Sequence, residues 1–264
     1  MKLFVLMVAV AVVFGGGVVF GLEYHSLSSY SDITPSGDNY PNRLPDVDPL
    51  NPQPFANKRV LFILSHGAED HEVYYQHQYF MSRGATISFA CAAPLSTVPP
   101  RVAVISDFYR ATYTVPCNED LASVKLNQYD AVMIPGGIPS SSDIRAWAAG
   151  IPDFPSRLSQ WIKTSSTRLL AAICSGVETL IETGLMYSMN DGFVGSPASK
   201  WPLLRMLDNM HRSESLYQGT NMSFPNAVSY QVGKSGGLIV LGRNPDASPL
   251  FTTTIGKLWG GAVE

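Results

Sequence analysis

From residue 58 onward the chain alternates between short, wholly apolar runs and longer segments whose apolar residues recur every three or four positions. The runs "RVLFIL", "ATISFACA", "YDAVMIPGG" and "RLLAAIC" have the length and continuity of strands buried on both faces. Between them, "HEVYYQHQYFMSRG" predicts a helix that stops at Gly84, and "DFPSRLSQWIK" puts Phe154, Leu158, Trp161 and Ile162 on one helical face. "SGVETLIETG" carries Val177, Leu180 and Ile181 at helical spacing, and "KWPLLRMLDNM" predicts a further helix. "VAVISD" and "ATYTV" predict a pair of short strands. "AVSYQVGKSGGLIVLG" predicts a hairpin around Lys234, Ser235 and Gly236, and "NPDASPLFTTTIGKLW" a closing helix. Strands alternating with helices in this way predict an α/β three-layer sandwich with a mostly parallel central sheet.

The pattern changes at the other end. Residues 23–57 are rich in Ser, Pro, Asn and Asp and have no apolar period, so they read as a linker that cannot bury enough surface to offset the entropy of ordering. Ahead of them, Lys2 is followed by an uncharged apolar stretch from Leu3 to Leu22. Residues 1–22 therefore read either as a cleaved signal peptide or as an uncleaved membrane anchor, with small residues at Gly15 to Gly17 and Gly21 near a cleavage point. Both readings place the domain in the secretory pathway, secreted or attached to a membrane through its N-terminal segment. Asn221-Met222-Ser223 is a glycosylation acceptor pattern that fits this routing.

Composition narrows the function classes. A net charge of -3 over 264 residues gives no basic surface for nucleic acid. No G-x-x-x-x-G-K-[ST] run points to nucleotide phosphates, and no ligand set has metal-site spacing, so neither a metal nor another cofactor is expected. Three cysteines are too few for a disulfide framework. In an oxidising compartment Cys91 and Cys117 can pair, which leaves Cys174 as the free thiol.

Cys174 stands where "LLAAI" ends and "SGVETL" begins, with Gly176 two positions on. A sharp strand-to-helix turn there would present its sulfur above the sheet, next to helix amides that favour an anion. A thiol so placed has a depressed pKa. In a parallel sheet, sites lie beyond the carboxyl ends of the strands. Gly67, Gly136 and Gly137 fall at such ends too, and bare backbone amides at the paired glycines can approach a ligand closely. His66 ends the first strand on the same side, and His71 follows shortly after; His77 lies among aromatic residues and reads as packing.

The segments "SHGAEDHE", "YDAVMIPGG" and "AAICSG", in this order and spacing, together with "GGLIVLGRNPDASPLF", resemble the ThiJ/PfpI superfamily from Lys58 to about Gly260. That resemblance implies a flavodoxin-like fold related to class I glutamine amidotransferases. It matches Glu72 to the glutamate that hydrogen-bonds the elbow cysteine. It also implies an anion pocket formed by the amide of Ser175 with that of Gly136 or Gly137. Members often form homodimers.

The chain also departs from the family pattern. Ser175 follows the cysteine where many members have histidine, and in "GSPASKWPLL" Lys200 stands where others carry one. His66 and Lys200 are then the auxiliary candidates, one as a base and the other as a positive charge beside the pocket. Two functions remain open. One is a cofactor-independent hydrolase, hydratase or glyoxalase-like enzyme acting on a small electrophilic substrate. The other is a ligand-binding or redox-responsive protein without turnover.

Overall fold

In the first strand, β1 (Arg59–Leu64), every residue from Val60 onward is fully buried, and alternate side chains enter different cores. Val60, Phe62 and Leu64 join one apolar cluster and Leu61 and Ile63 the other, as a strand of period two requires when it is covered on both faces. The computed structural model describes residues 44, 46–92, 101–105, 111–150, 153–183, 185, 228–232 and 236–260.

The remaining strands of the main sheet are β3 (Thr86–Cys91), β6 (Glu119–Asp120), β7 (Ala131–Ile134), β8 (Leu169–Ile173), β9 (Val228–Val232) and β10 (Leu238–Gly242). They are ordered β6-β3-β1-β7-β8-β10-β9, all parallel except the edge strand β9, which runs antiparallel to β10 as the predicted hairpin. A second sheet of three short strands, β2 (Ala68–Glu69), β4 (Arg101–Ile105) and β5 (Ala111–Pro116), includes the predicted strand pair β4 and β5.

Helices cover both faces. On one lie α1 (Asp70–Met81) and α4 (Ser248–Ile255), burying Val73, Tyr79, Phe80, Phe251 and Ile255. On the other, α2 (Ile138–Gly150) contributes Ile144, and α3 (Phe154–Lys163) buries the predicted face of Phe154, Leu158, Trp161 and Ile162. The architecture is the predicted α/β sandwich. Phe55, three residues ahead of Lys58, is also fully buried and stacks on Trp259 at 5.3 Å between ring centroids.

Some sequence expectations need amendment, and others fall outside the described residues. The segment Cys174–Thr183 is a 3-10 helix rather than an α-helix, although its apolar residues Val177 and Leu180 are buried as the spacing required. Helix α2, with three consecutive serines and no apolar period, was not anticipated from the sequence pattern. The N-terminal apolar segment, most of the polar tract, Lys200, the helix predicted at "KWPLLRMLDNM" and Asn221 all lie outside the described residues. Among the described residues no helix is long and apolar enough to cross a membrane.

The chain steps from β1 to β3 on one side and continues through β7, β8 and β10 on the other. This change of direction makes the carboxyl ends of β1 and β7 the topological switch point, the place where such sheets hold ligands.

Candidate functional site

Cys174 leaves the end of β8 with φ = +57°, a left-handed conformation that costs a side-chain-bearing residue about 1 to 2 kcal/mol. This is the sharp turn expected at the elbow. The thiol is half-buried, and it is the cysteine that lies outside the disulfide formed by Cys91 and Cys117.

Glu72 sits in the first turn of α1 and has no exposed surface. Its backbone N–H donates to Oε2 of the capping residue Glu69 at 2.8 Å, and its own Oε2 accepts the N–H of Gly136 at 2.6 Å. The carboxyl group is thereby fixed between α1 and the end of β7. A Cβ placed on Gly136 would lie 2.6 Å from Cβ of Cys174, 2.8 Å from Oε2 of Glu72 and 3.0 Å from the amide nitrogen of Ser175. The elbow, the acid and the Ser175 amide thus converge on Gly136, a position without a side chain. Gly137, with φ = +92°, turns the backbone away so tightly that a Cβ there would lie 2.1 Å from the carbonyl oxygen of Gly67.

Of the sequence candidates, the structure brings together Cys174, Glu72, Gly136 and Ser175. The Gly136 amide is engaged by Glu72, so the reading of its N–H as a ligand donor gives way to a role in holding the acid. His66, partly buried, feels the charge of Asp143 on α2, and burial outweighs that charge and lowers its pKa. Burial alone holds His71 and His77 at about 4. His77 packs between Phe62 and Phe89, the role expected from its aromatic neighbours.

The unanticipated helix α2 supplies the supports that sequence reasoning missed. The Ser141 hydroxyl donates to Oγ of the buried Ser175 at 3.0 Å, and Arg145 forms an ion pair with Glu178 at 3.2 Å, so α2 grips the elbow segment twice. Ser140 accepts the Ser65 amide, and Ser65 donates to Asp143, which ties α2 to the end of β1 as well. Tyr113 of β5 donates to the carbonyl of Asp70 at 2.9 Å and steadies the start of α1 from the small sheet. The only signal for α2 was Pro139 followed by serines and Asp143, a helix-start pattern. Among the described residues no group of three or more His, Cys, Asp or Glu side chains is arranged to hold a metal ion.

Comparison with known proteins bears on the fold and the family. The fold is similar to that of Schizosaccharomyces pombe DJ-1, with a TM-score of 0.55 and 15% identity over 75% of this chain and 90% of that one. Drosophila melanogaster DJ-1beta gives a TM-score of 0.55 and 19% identity over 78% of this chain and 91% of that one. Oxidized Toxoplasma gondii DJ-1 gives 0.54 and 20% identity over 77% and 91%. Among curated proteins none matches the chain. The profile of the DJ-1/PfpI family matches residues 58–255, most of the chain and all of the site just described, and the protein belongs to that family.

Proposed function

We propose that the protein is a cofactor-independent enzyme in which Cys174 attacks a small electrophilic carbon, an α-oxoaldehyde or a simple ester or amide. The observation that carries this reading is the convergence of the positive-φ Cys174 and the buried carboxyl of Glu72 on Gly136. Burial and a neighbouring thiolate both favour the protonated carboxyl. Because Oε2 accepts the Gly136 N–H, Oε1 is the oxygen left to carry that proton in this scheme.

For a carbonyl substrate, the sulfur anion forms the C–S bond and the carbonyl π pair moves to oxygen. The amides of Gly137 and Ser175 stabilise that oxyanion as it forms. Glu72 then gives its proton to the oxygen and remains as a carboxylate, ready to act as the base for the next transfer. His66 and Lys200 are auxiliary candidates in this scheme.

Turnover of methylglyoxal and of simple ester and amide substrates by the wild-type protein, against Cys174→Ser, tests the reading. Turnover that is lost in the variant supports it; equal rates in the two proteins overturn it.

The Cys91–Cys117 bond also supports the secretory routing read from the N-terminal segment, since such bonds persist in oxidising compartments.

A further inference from the structure

At the amino-terminal edge of the sheet, remote from Cys174, an open groove of about 460 Å³ lies between the segment that leads into β7, helix α3 and the residue just ahead of β8. This volume is in the range of small-molecule sites. Three cations line it: Lys125, Arg157 and Arg168. No carboxylate among the described residues pairs with any of them.

Both guanidinium groups are held in place by neutral partners. Arg157 donates to the carbonyls of Ala122 and Val124, and Arg168 donates to the carbonyl of Trp161 and to the Thr164 hydroxyl while lying 5.3 Å over the Trp161 ring. Carbonyl and hydroxyl oxygens orient a guanidinium without cancelling its charge. The indole Nε1 of Trp161 is buried behind the lining and has no acceptor among the described residues. No carboxylate is among the lining residues; the exposed Asp120, which accepts the Ala122 amide and the Ser123 hydroxyl, lies outside the lining.

The geometry points to a second ligand site, separate from the cysteine centre, that takes a sugar-sized organic anion carrying a phosphate or sulfate ester. Immobilised guanidinium groups suit such a ligand because little freedom is lost on binding and the fork of N–H groups matches paired oxygens. Lys125, exposed at the rim, adds a third positive charge. The amide of Gln160 lies in the same lining and is suited to a sugar hydroxyl.

Isothermal titration of the purified full-length protein with glucose 6-phosphate, glucose 6-sulfate and unmodified glucose tests the site. Saturable binding of at least one ester, with none of glucose, is the expected result. Lys125→Glu, an exposed substitution, weakens it by about tenfold or more, as reversal of a charge facing the ligand should. The two esters tell a phosphorylated metabolite from a fragment of sulfated glycan, and binding of either supports the shared chemistry. No saturation by either ester, equal binding of glucose, or an unchanged affinity in Lys125→Glu overturns the assignment.

Discussion

The backbone amide of Gly136 donates to Oε2 of Glu72 at 2.6 Å, a bond between the end of β7 and the first turn of α1 that holds the acid beside the elbow. The same glycine leaves room for Cβ of Cys174, so one residue both orients the carboxyl and admits the thiol. Gly136→Ala pushes a methyl group against the elbow, the carboxyl oxygen and the Ser175 amide at once. Overpacking of this kind costs about 2 kcal/mol. Urea unfolding should show that loss, and alkylation of Cys174 should slow in protein that remains folded. An unchanged unfolding midpoint would mean that the three elements are not packed as described.

The disulfide joins Cys91, at the end of β3, to Cys117, beyond β5, across 26 residues. In the chain-entropy view, closing a loop of that length stabilises the fold by about 3.5 kcal/mol. Unfolding of the double variant Cys91→Ser/Cys117→Ser should show a loss of that order, and reducing agent should have the same effect on the wild type and none on the variant.

Acid sensitivity follows most strongly from two histidines, with a smaller part in the same direction from His66. His71 and His77 are buried with pKa values of about 4 in the folded protein, against 6.5 for the unperturbed group. Above pH 6.5 neither the folded nor the unfolded chain protonates them, and they do not affect stability. As the pH falls from there the unfolded chain takes up protons that the folded one refuses, so stability drops until about pH 4, below which the loss is complete. Each group accounts for roughly 3 kcal/mol. Phenylalanine suits the ring packing at His77, and His77→Phe should remove about half of the histidine-linked loss between pH 7 and pH 4.5. A pH dependence identical to that of the wild type would place this histidine's titration elsewhere.

Much of the fold was legible because its signals are local. Continuous apolar runs marked the central strands, and period alone placed Phe154, Leu158, Trp161 and Ile162 on the buried face of α3. The elbow was legible for the same reason: the end of an apolar strand, a cysteine and a glycine lie within a few residues. Helix α2 was not. It packs mainly through hydroxyls, and Ser140, Ser141 and Asp143 bond to residues more than 30 positions away. Neither the apolar period nor short-range spacing encodes such pairs. The commitment of the Gly136 amide to Glu72 was hidden likewise, since glycine after a strand reads the same whether its N–H faces a ligand or a buried carboxyl. The change from an α-helix to a 3-10 helix after Cys174 alters hydrogen bonding but keeps Val177 and Leu180 inside, so the apolar pattern is compatible with both.

In the proposed function, the turn at Cys174 and the buried acid of Glu72 together stabilise a thiolate. With Cys91 and Cys117 joined, Cys174 is the thiol open to alkylation, and its rate of reaction with iodoacetamide can be followed from pH 4 to pH 10. The rate should rise with a midpoint well below the ordinary thiol value of about 8.5, and Glu72→Gln should move that midpoint upward. A midpoint at or above about 8.5, or a profile that Glu72→Gln leaves unchanged, would contradict a thiolate held by that turn and that acid.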